Sequence, residues 1–198
     1  MMADWTTIQY CSVNRMEAEG LLSQEGAVLI LIDIQEKLFP HILDREEVAE
    51  NIRRLIRFAR IMKMPILLTE QYPKGLGRTI LEIQTLITDI QPIEKVEFSC
   101  FGSEEFREAL KRLKAKTIII AGIETHICVS QTALEGLRDY RVCVISDAVS
   151  SRRREDKIVA LERMKQNGII ISSIEMLIYE LLRKAGTPEF KEALKLIK

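Results

Sequence analysis

Ala27-Val28-Leu29-Ile30-Leu31-Ile32-Asp33-Ile34-Gln35 is the stretch that decides the fold. Apolar residues follow one another without polar alternation, and a carboxylate closes the run. An unbroken run of this kind fits a strand covered on both faces, as in a parallel sheet. Similar runs lie at 65–68, 117–121, 142–145 and 169–171, with a weaker one around Ile93 and Val96. The segments between them read as helices. Apolar positions 48, 52, 55, 56, 59 and 62 recur at helical spacing. Ser103, with Glu104 and Glu105 behind it, opens a helix whose buried stripe is Phe106, Leu110 and Leu113. Thr125 is a candidate N-cap for a helix carrying Val129, Ala133, Leu134 and Leu137. Helices are also expected over 156–165 and 174–182, with Gly168 ending the first of these. Strands alternating with helices predict an α/β three-layer sandwich. Residues 26–198 read as one domain, and residues 1–25 as an N-terminal extension that is either loose or packed on a neighbouring subunit.

The composition excludes several classes. The chain has 198 residues, and its 29 basic residues balance its 29 acidic ones, so the net charge gives no footprint for nucleic acid or an anionic membrane. No apolar stretch approaches the ~18 residues of a membrane span. The first 25 residues hold no apolar signal-peptide core. Cys11, Cys100, Cys128 and Cys143 form no C-x-x-C pair, and the histidines, His41 and His126, are far apart. A cytoplasmic protein with reduced thiols is the expectation. Gly75 and Gly77 lack the context of a dinucleotide-binding loop.

In open α/β sheets, chemistry collects beyond the carboxyl ends of the strands. There lie Asp33; then Thr69, Glu70, Gln71 and Tyr72; then Lys95; and then the segment Gly122 to Cys128. Asp33 sits between apolar neighbours and needs a partner. Lys95 can supply it across strands spaced ~4.8 Å apart. The two alone read first as a structural ion pair or a helix-capping carboxylate. Cys128 falls in the first turn of the expected helix, where amide groups and the helix dipole favour a thiolate; alone, it reads first as a small buried hydrophobe. Together the three supply a nucleophile, a proton carrier and a charge organiser. His126 is a poor base for Cys128, because helical neighbours two apart point away from each other.

The segments Val28 to Gln35, Lys95 and Ala121-Gly122-Ile123-Glu124-Thr125-His126-Ile127-Cys128-Val129 resemble the isochorismatase-like cysteine hydrolases, in the right order over roughly residues 26–182. Thr69 to Pro73 and Phe98 to Phe101 resemble the metal-free, uncharacterised branch of that family. The resemblance implies a six-stranded parallel sheet of order 3-2-1-4-5-6 and a Cys128–Asp33–Lys95 triad. Cys128 would be the nucleophile, Asp33 the proton carrier, and Lys95 would favour the thiolate. It also implies a cis Ile123–Glu124 peptide that aims the Glu124 and Cys128 amides at an oxyanion. Nicotinamidases of the family bind a metal through an Asp-x-His and a further His; residues 62–91 hold no His, so neither metal nor cofactor is expected. The presence of Cys128 implies acyl transfer on an amide, ureido or carbamoyl carbon.

Glu124 stands where many members carry Ala; it either faces substrate or pairs with an Arg. Phe39 and Tyr72 are candidate pocket walls or core aromatics, and Cys100 lines the site or fills space. Arg152-Arg153-Arg154 reads as a solvated helix start. The expected protein is a homo-oligomeric hydrolase of a small molecule. The rival readings are vinyl-ether hydrolysis with Asp33 as acid and Cys128 a bystander, a non-catalytic ligand-binding protein of the same fold, and a phospho-receiver domain. The last expects an acidic pair after the first strand, where Ile34 follows Asp33.

Overall fold

The computed structural model describes residues 20–197. Six strands, β1 (Ala27–Ile32), β2 (Ile66–Gln71), β3 (Ile93–Lys95), β4 (Thr117–Ile123), β5 (Arg141–Ser150) and β6 (Ile170–Ser172), form one parallel sheet in the order β3-β2-β1-β4-β5-β6. The topology is the expected 3-2-1-4-5-6. The order reverses direction beside β1, where β2 lies on one side and β4 on the other.

The unbroken apolar run of β1 is explained by its two neighbours. Ala27, Leu29 and Leu31 enter the core beneath α1 (Arg45–Ile61), α7 (Ile174–Leu182) and α8 (Pro188–Ile197). Val28, Ile30 and Ile32 enter a second core beneath α4 (Glu104–Arg112), α5 (Ser130–Gly136) and α6 (Arg154–Gln166). Both faces are dry, which is what a parallel sheet between helix layers demands. Two short helices, α2 (Pro73–Leu76) and α3 (Leu81–Gln84), lie in the connection from β2 to β3. Among the described residues no helix is long and apolar enough to cross a membrane.

Local signals explain the helix starts. Ser103 accepts a hydrogen bond from the Phe106 N–H at α4, and Ser173 accepts one from the Met176 N–H at α7. Gly168 follows α6 with φ 92, the left-handed stop expected of it. Two expectations need correction. The third strand ends at Lys95, and Val96 is exposed, because the edge position leaves nothing to cover it. The fifth strand continues to Ser150 after an irregularity opposite β4. Its register moves from Ile120–Val144 to Gly122–Val149. In that bulge the Asp147 carboxylate accepts the Ile174 N–H, so a segment that reads as a loop anchors α7. Residues 1–19, including Cys11 and most of the expected extension, lie outside the described residues.

Candidate active site

Strand register brings Asp33 and Lys95 together. Thr69 pairs with Ile32 and Gln71 with Lys95, so the ends of β1, β2 and β3 are aligned. Asp33 follows directly, with a left-handed φ of 54. Lys95 Nζ donates to Asp33 Oδ2 at 2.7 Å, and the two side chains are 0% and 1% exposed. Lys95 also donates to Gln71 Oε1 at 2.7 Å and faces the carbonyls of Glu97 and Phe98, both at 3.3 Å. Thr69 Oγ1 donates to the other Asp33 oxygen at 2.7 Å. A buried ion pair is tolerable only when its remaining hydrogen-bonding capacity is filled in this way. Burial by itself would lower the Lys95 pKa, but Asp33, with Cys100 and Cys128 adding to it, holds the ammonium above its ordinary value.

The sulfur arrives from the other side of β1. Gly122 pairs with Ile32, and a Cβ there would sit 2.3 Å from the Ile32 carbonyl oxygen. Only glycine, here with φ 139, lets β4 press this closely against the peptide before Asp33. Beyond β4 the chain turns at Glu124 (φ 58, ψ 59) into a π-helical turn, Thr125–Val129, which carries Cys128 and runs into α5. Such turns concentrate at functional sites. Cys128 is 5% exposed. Burial first, and then the Asp33 carboxylate, raise its thiol pKa well above the ordinary range, with Lys95 opposing. Cys100 lines the same cluster. Its N–H donates to Thr132 Oγ1 at 3.0 Å, its Sγ lies 3.9 Å from Thr69 Oγ1, and burial pushes its thiol up to about 12.

Three sequence expectations are corrected at this turn. The Ile123–Glu124 peptide is trans, as no cis peptide occurs among the described residues; the positive φ of Glu124 makes the turn instead. Thr125 is not the cap, since it lies inside the π-turn and its hydroxyl has no partner among the described residues. The resting thiol is not favoured as thiolate, because burial outweighs what a short helix offers.

Glu124 does pair with an arginine. Its Oε1 lies 2.7 Å from Arg152 Nε in an ion pair, so Arg152 is not merely solvated. His126 turns away from Cys128, its Nδ1 3.0 Å from Ser151 Oγ and 3.3 Å from Glu124 Oε2. An open cleft of about 660 Å³ is lined by Leu38, His41, Arg152, Arg153 and Asp156, and Cys128 is not among its lining residues. Arg152 links the cleft to Glu124. Phe39 is half-buried against the α1 core, and Tyr72 is exposed where α2 begins.

Sequence reasoning passed over Gln71, Thr69 and Thr132 as partners. The signal available was parity, as Thr69 and Gln71 share one face of β2 at its carboxyl end, opposite Asp33 and Lys95. Among the described residues no group of three or more His, Cys, Asp or Glu side chains is arranged to hold a metal ion.

Comparison with known proteins agrees with this geometry. Residues 27–176 match the Isochorismatase domain family. Isochorismatase domain-containing protein 2A of Mus musculus is 40% identical over 180 residues, covering 90% of this chain and 86% of the mouse protein. The structure of a MAR1 ribonuclease from Caenorhabditis elegans superposes with a TM-score of 0.84 at 37% identity, over 90% of this chain and 92% of that one. The YcaC gene product of Escherichia coli, an octameric hydrolase of unknown specificity, shares the fold (TM-score 0.80, 24% identity, 89% and 87% of the two chains). The chain belongs to the isochorismatase-like hydrolase superfamily.

Proposed function

We propose that this protein is a cysteine hydrolase that cleaves a C–N bond in a small amide, ureido or carbamoyl compound through a thioester. The observation that carries the reading is a fully buried Lys95–Asp33 pair, at 2.7 Å, coupled to the Cys128 thiol.

The raised thiol pKa keeps Cys128 protonated at rest. Asp33 takes that proton as the sulfur attacks the carbonyl carbon and the π pair moves onto oxygen. The Glu124 and Cys128 amides, at the start of the turn, receive the developing oxyanion. Lys95 pairs with the Asp33 carboxylate at 2.7 Å and holds it in place to take the proton. The C–N bond then breaks, Asp33 passes its proton to the departing nitrogen, and ammonia or an amine leaves. Water adds to the thioester with its proton going to Asp33. The C–S bond breaks and that proton returns to sulfur, releasing the acid. A positioned acid–base of this kind contributes about 10²–10⁴-fold, and one oxyanion donor about 10²–10³-fold.

The same reading includes a homo-oligomer, supported by the octameric E. coli relative, and a cytoplasmic setting in which the thiol stays reduced. The name of the C. elegans relative implies RNA cleavage. A chain with no net charge has no overall excess of cations for that polyanion.

The test is a panel of small carboxamides, ureides and carbamoyl compounds with ammonia detection, run beside vinyl ethers and an RNA oligonucleotide. At least one C–N substrate is expected to turn over, with Cys128→Ala abolishing turnover and Asp33→Asn lowering it by about 10²-fold or more. Vinyl-ether or RNA cleavage that survives Cys128→Ala would overturn the reading.

A further inference from the structure

Two buried side-chain atoms lack a hydrogen-bond partner among the described residues, and they are neighbours: Glu124 Oε2 and Thr125 Oγ1. The residues are 4% and 0% exposed. Native structures rarely leave such atoms unmatched, and an unmatched pair at one spot points to a missing ligand. The Glu124 backbone adds to this. A non-glycine residue at φ 58 is strained, and strain of this kind gathers at ligand-binding turns.

The neighbours do not fill Oε2. Arg152 Nε is committed to Oε1 at 2.7 Å. His126 Nδ1 comes within 3.3 Å of Oε2 but has its hydrogen bond with Ser151 Oγ at 3.0 Å. Glu124 also stands between the sulfur-bearing turn and the open cleft in the chain of contacts: it leads into the turn that carries Cys128, and its partner Arg152, more than half exposed, is a wall of the cleft.

We propose that Glu124 and Thr125 form a leaving-group subsite that selects substrates with N–H donors next to the scissile carbonyl: primary and secondary amides or ureido compounds, over esters. The proposal rests on the reading of Cys128 as nucleophile. A carboxylate oxygen can only accept, so an N–H satisfies Oε2 while an ester oxygen opposes lone pair to lone pair. The Thr125 hydroxyl accepts a second N–H or donates to an oxygen. Charges around Glu124 and the cleft are balanced, Glu124 and Asp156 against Arg152 and Arg153, which suits a neutral polar group. Sites built to bond an N–H reject the analogue lacking it far more sharply than apolar pockets reject a methylene.

The test needs no known substrate. Acrylamide and methyl acrylate are close in size, and only the first has N–H groups. In both, the thiol sulfur bonds to the β-carbon, the alkene π pair moves to the α-carbon, and that carbon takes the proton. Rates of Cys128 modification in the full chain are read by peptide mass mapping. Each is divided by the rate of the same reagent with glutathione. The wild-type ratio of acrylamide to methyl acrylate is expected to be about tenfold or more in favour of acrylamide. Glu124→Ala should bring it to about one. Thr125→Val, nearly equal in volume, should lower it about threefold and decides the matter if the first variant does not fold.

A wild-type ratio near one, or a ratio unchanged in the variants, overturns the subsite while Cys128 remains the fastest-reacting thiol. Equal modification of Cys128, Cys100 and Cys143 instead overturns the nucleophile itself.

Discussion

Asp33 and Glu70 leave the sheet at the same edge, are 0% and 1% exposed, and each holds a cation and a threonine hydroxyl. Their surroundings diverge from there. Glu70 Oε1 accepts the Thr79 N–H and the Thr79 hydroxyl, both at 2.8 Å. Its Oε2 takes Arg78 at 2.9 Å, and Arg78 reaches on to the exposed Glu94 at 2.6 Å. That carboxylate is a strap, pinning the loop after α2 to the sheet with a cation that is itself 59% exposed. Asp33 instead holds a cation sealed from water and lies near enough to the Cys128 thiol to raise its pKa; in the proposed mechanism it takes that thiol's proton. Burial of a carboxylate therefore says little alone. What separates a strap from a proton carrier is whether the cation is wet and whether anything nearby can exchange a proton.

The contrast can be broken most severely at Lys95. Lys95→Met leaves the Asp33 charge buried and alone, and is expected to cost about 3–5 kcal/mol in urea denaturation. Adding Asp33→Leu should restore most of that loss, because it removes the stranded charge. A cost under about 1 kcal/mol for the single change would mean that Asp33 has other support.

A second test sharpens the contrast through pH. The Cys100, Cys128 and Cys143 thiols are all raised in the folded state, by burial first. A raised thiol favours the protonated native form, so its stabilising contribution is complete below the unfolded pKa and is lost as pH rises past it. Unfolding free energy should therefore fall from about pH 9 upward, by about 1.4 kcal/mol per pH unit for each thiol still protonated in the fold. Cys128→Ala should make the decline shallower by one such contribution. Lys95, also raised, keeps its pairing until higher pH. The Glu70 strap should not take part, since its cation is an arginine whose pKa is raised further by Glu70 and Glu94.

The smallest effect is expected at that strap. Arg78→Ala should lower the denaturation midpoint only slightly, and the difference from wild type should vanish in high salt, because the pair is screened by solvent. A loss that persists in molar salt would place Glu70 in the same category as Asp33.

The two sites also differ in how they could be read from the chain. Asp33 and Lys95 stand out as charges in apolar runs, and Cys128 stands out because the fold puts the start of that turn at a strand end. Gln71 did not stand out as the second partner of Lys95, because it carries no charge and the strand parity it shares with Thr69 does not say which cation its amide meets. Arg152 was hidden in a run of three arginines, where solvation is the ordinary fate; its link to Glu124 depends on β5 extending past its bulge to Ser150. The parallel sheet and its two covered faces followed from unbroken apolar runs, which survive any detail of turn geometry, whereas the strand order came only with the family resemblance. The turn itself did not follow. Whether residues 123–125 bend by a cis bond, a cap or a left-handed residue depends on how tightly β4 meets β1, and no local pattern records that.

The close approach of Gly122 to Ile32 has a consequence for how such a protein can diversify. With a bare backbone as the seam between the strand bearing the acid and the strand leading to the sulfur, no side chain is available there to widen or narrow the gap by substitution. On the proposed reading, new substrate preferences are acquired at the rim, through residues such as Glu124, Arg152 and His41, while the spacing of Asp33 from the turn that carries Cys128 is set by the main chain.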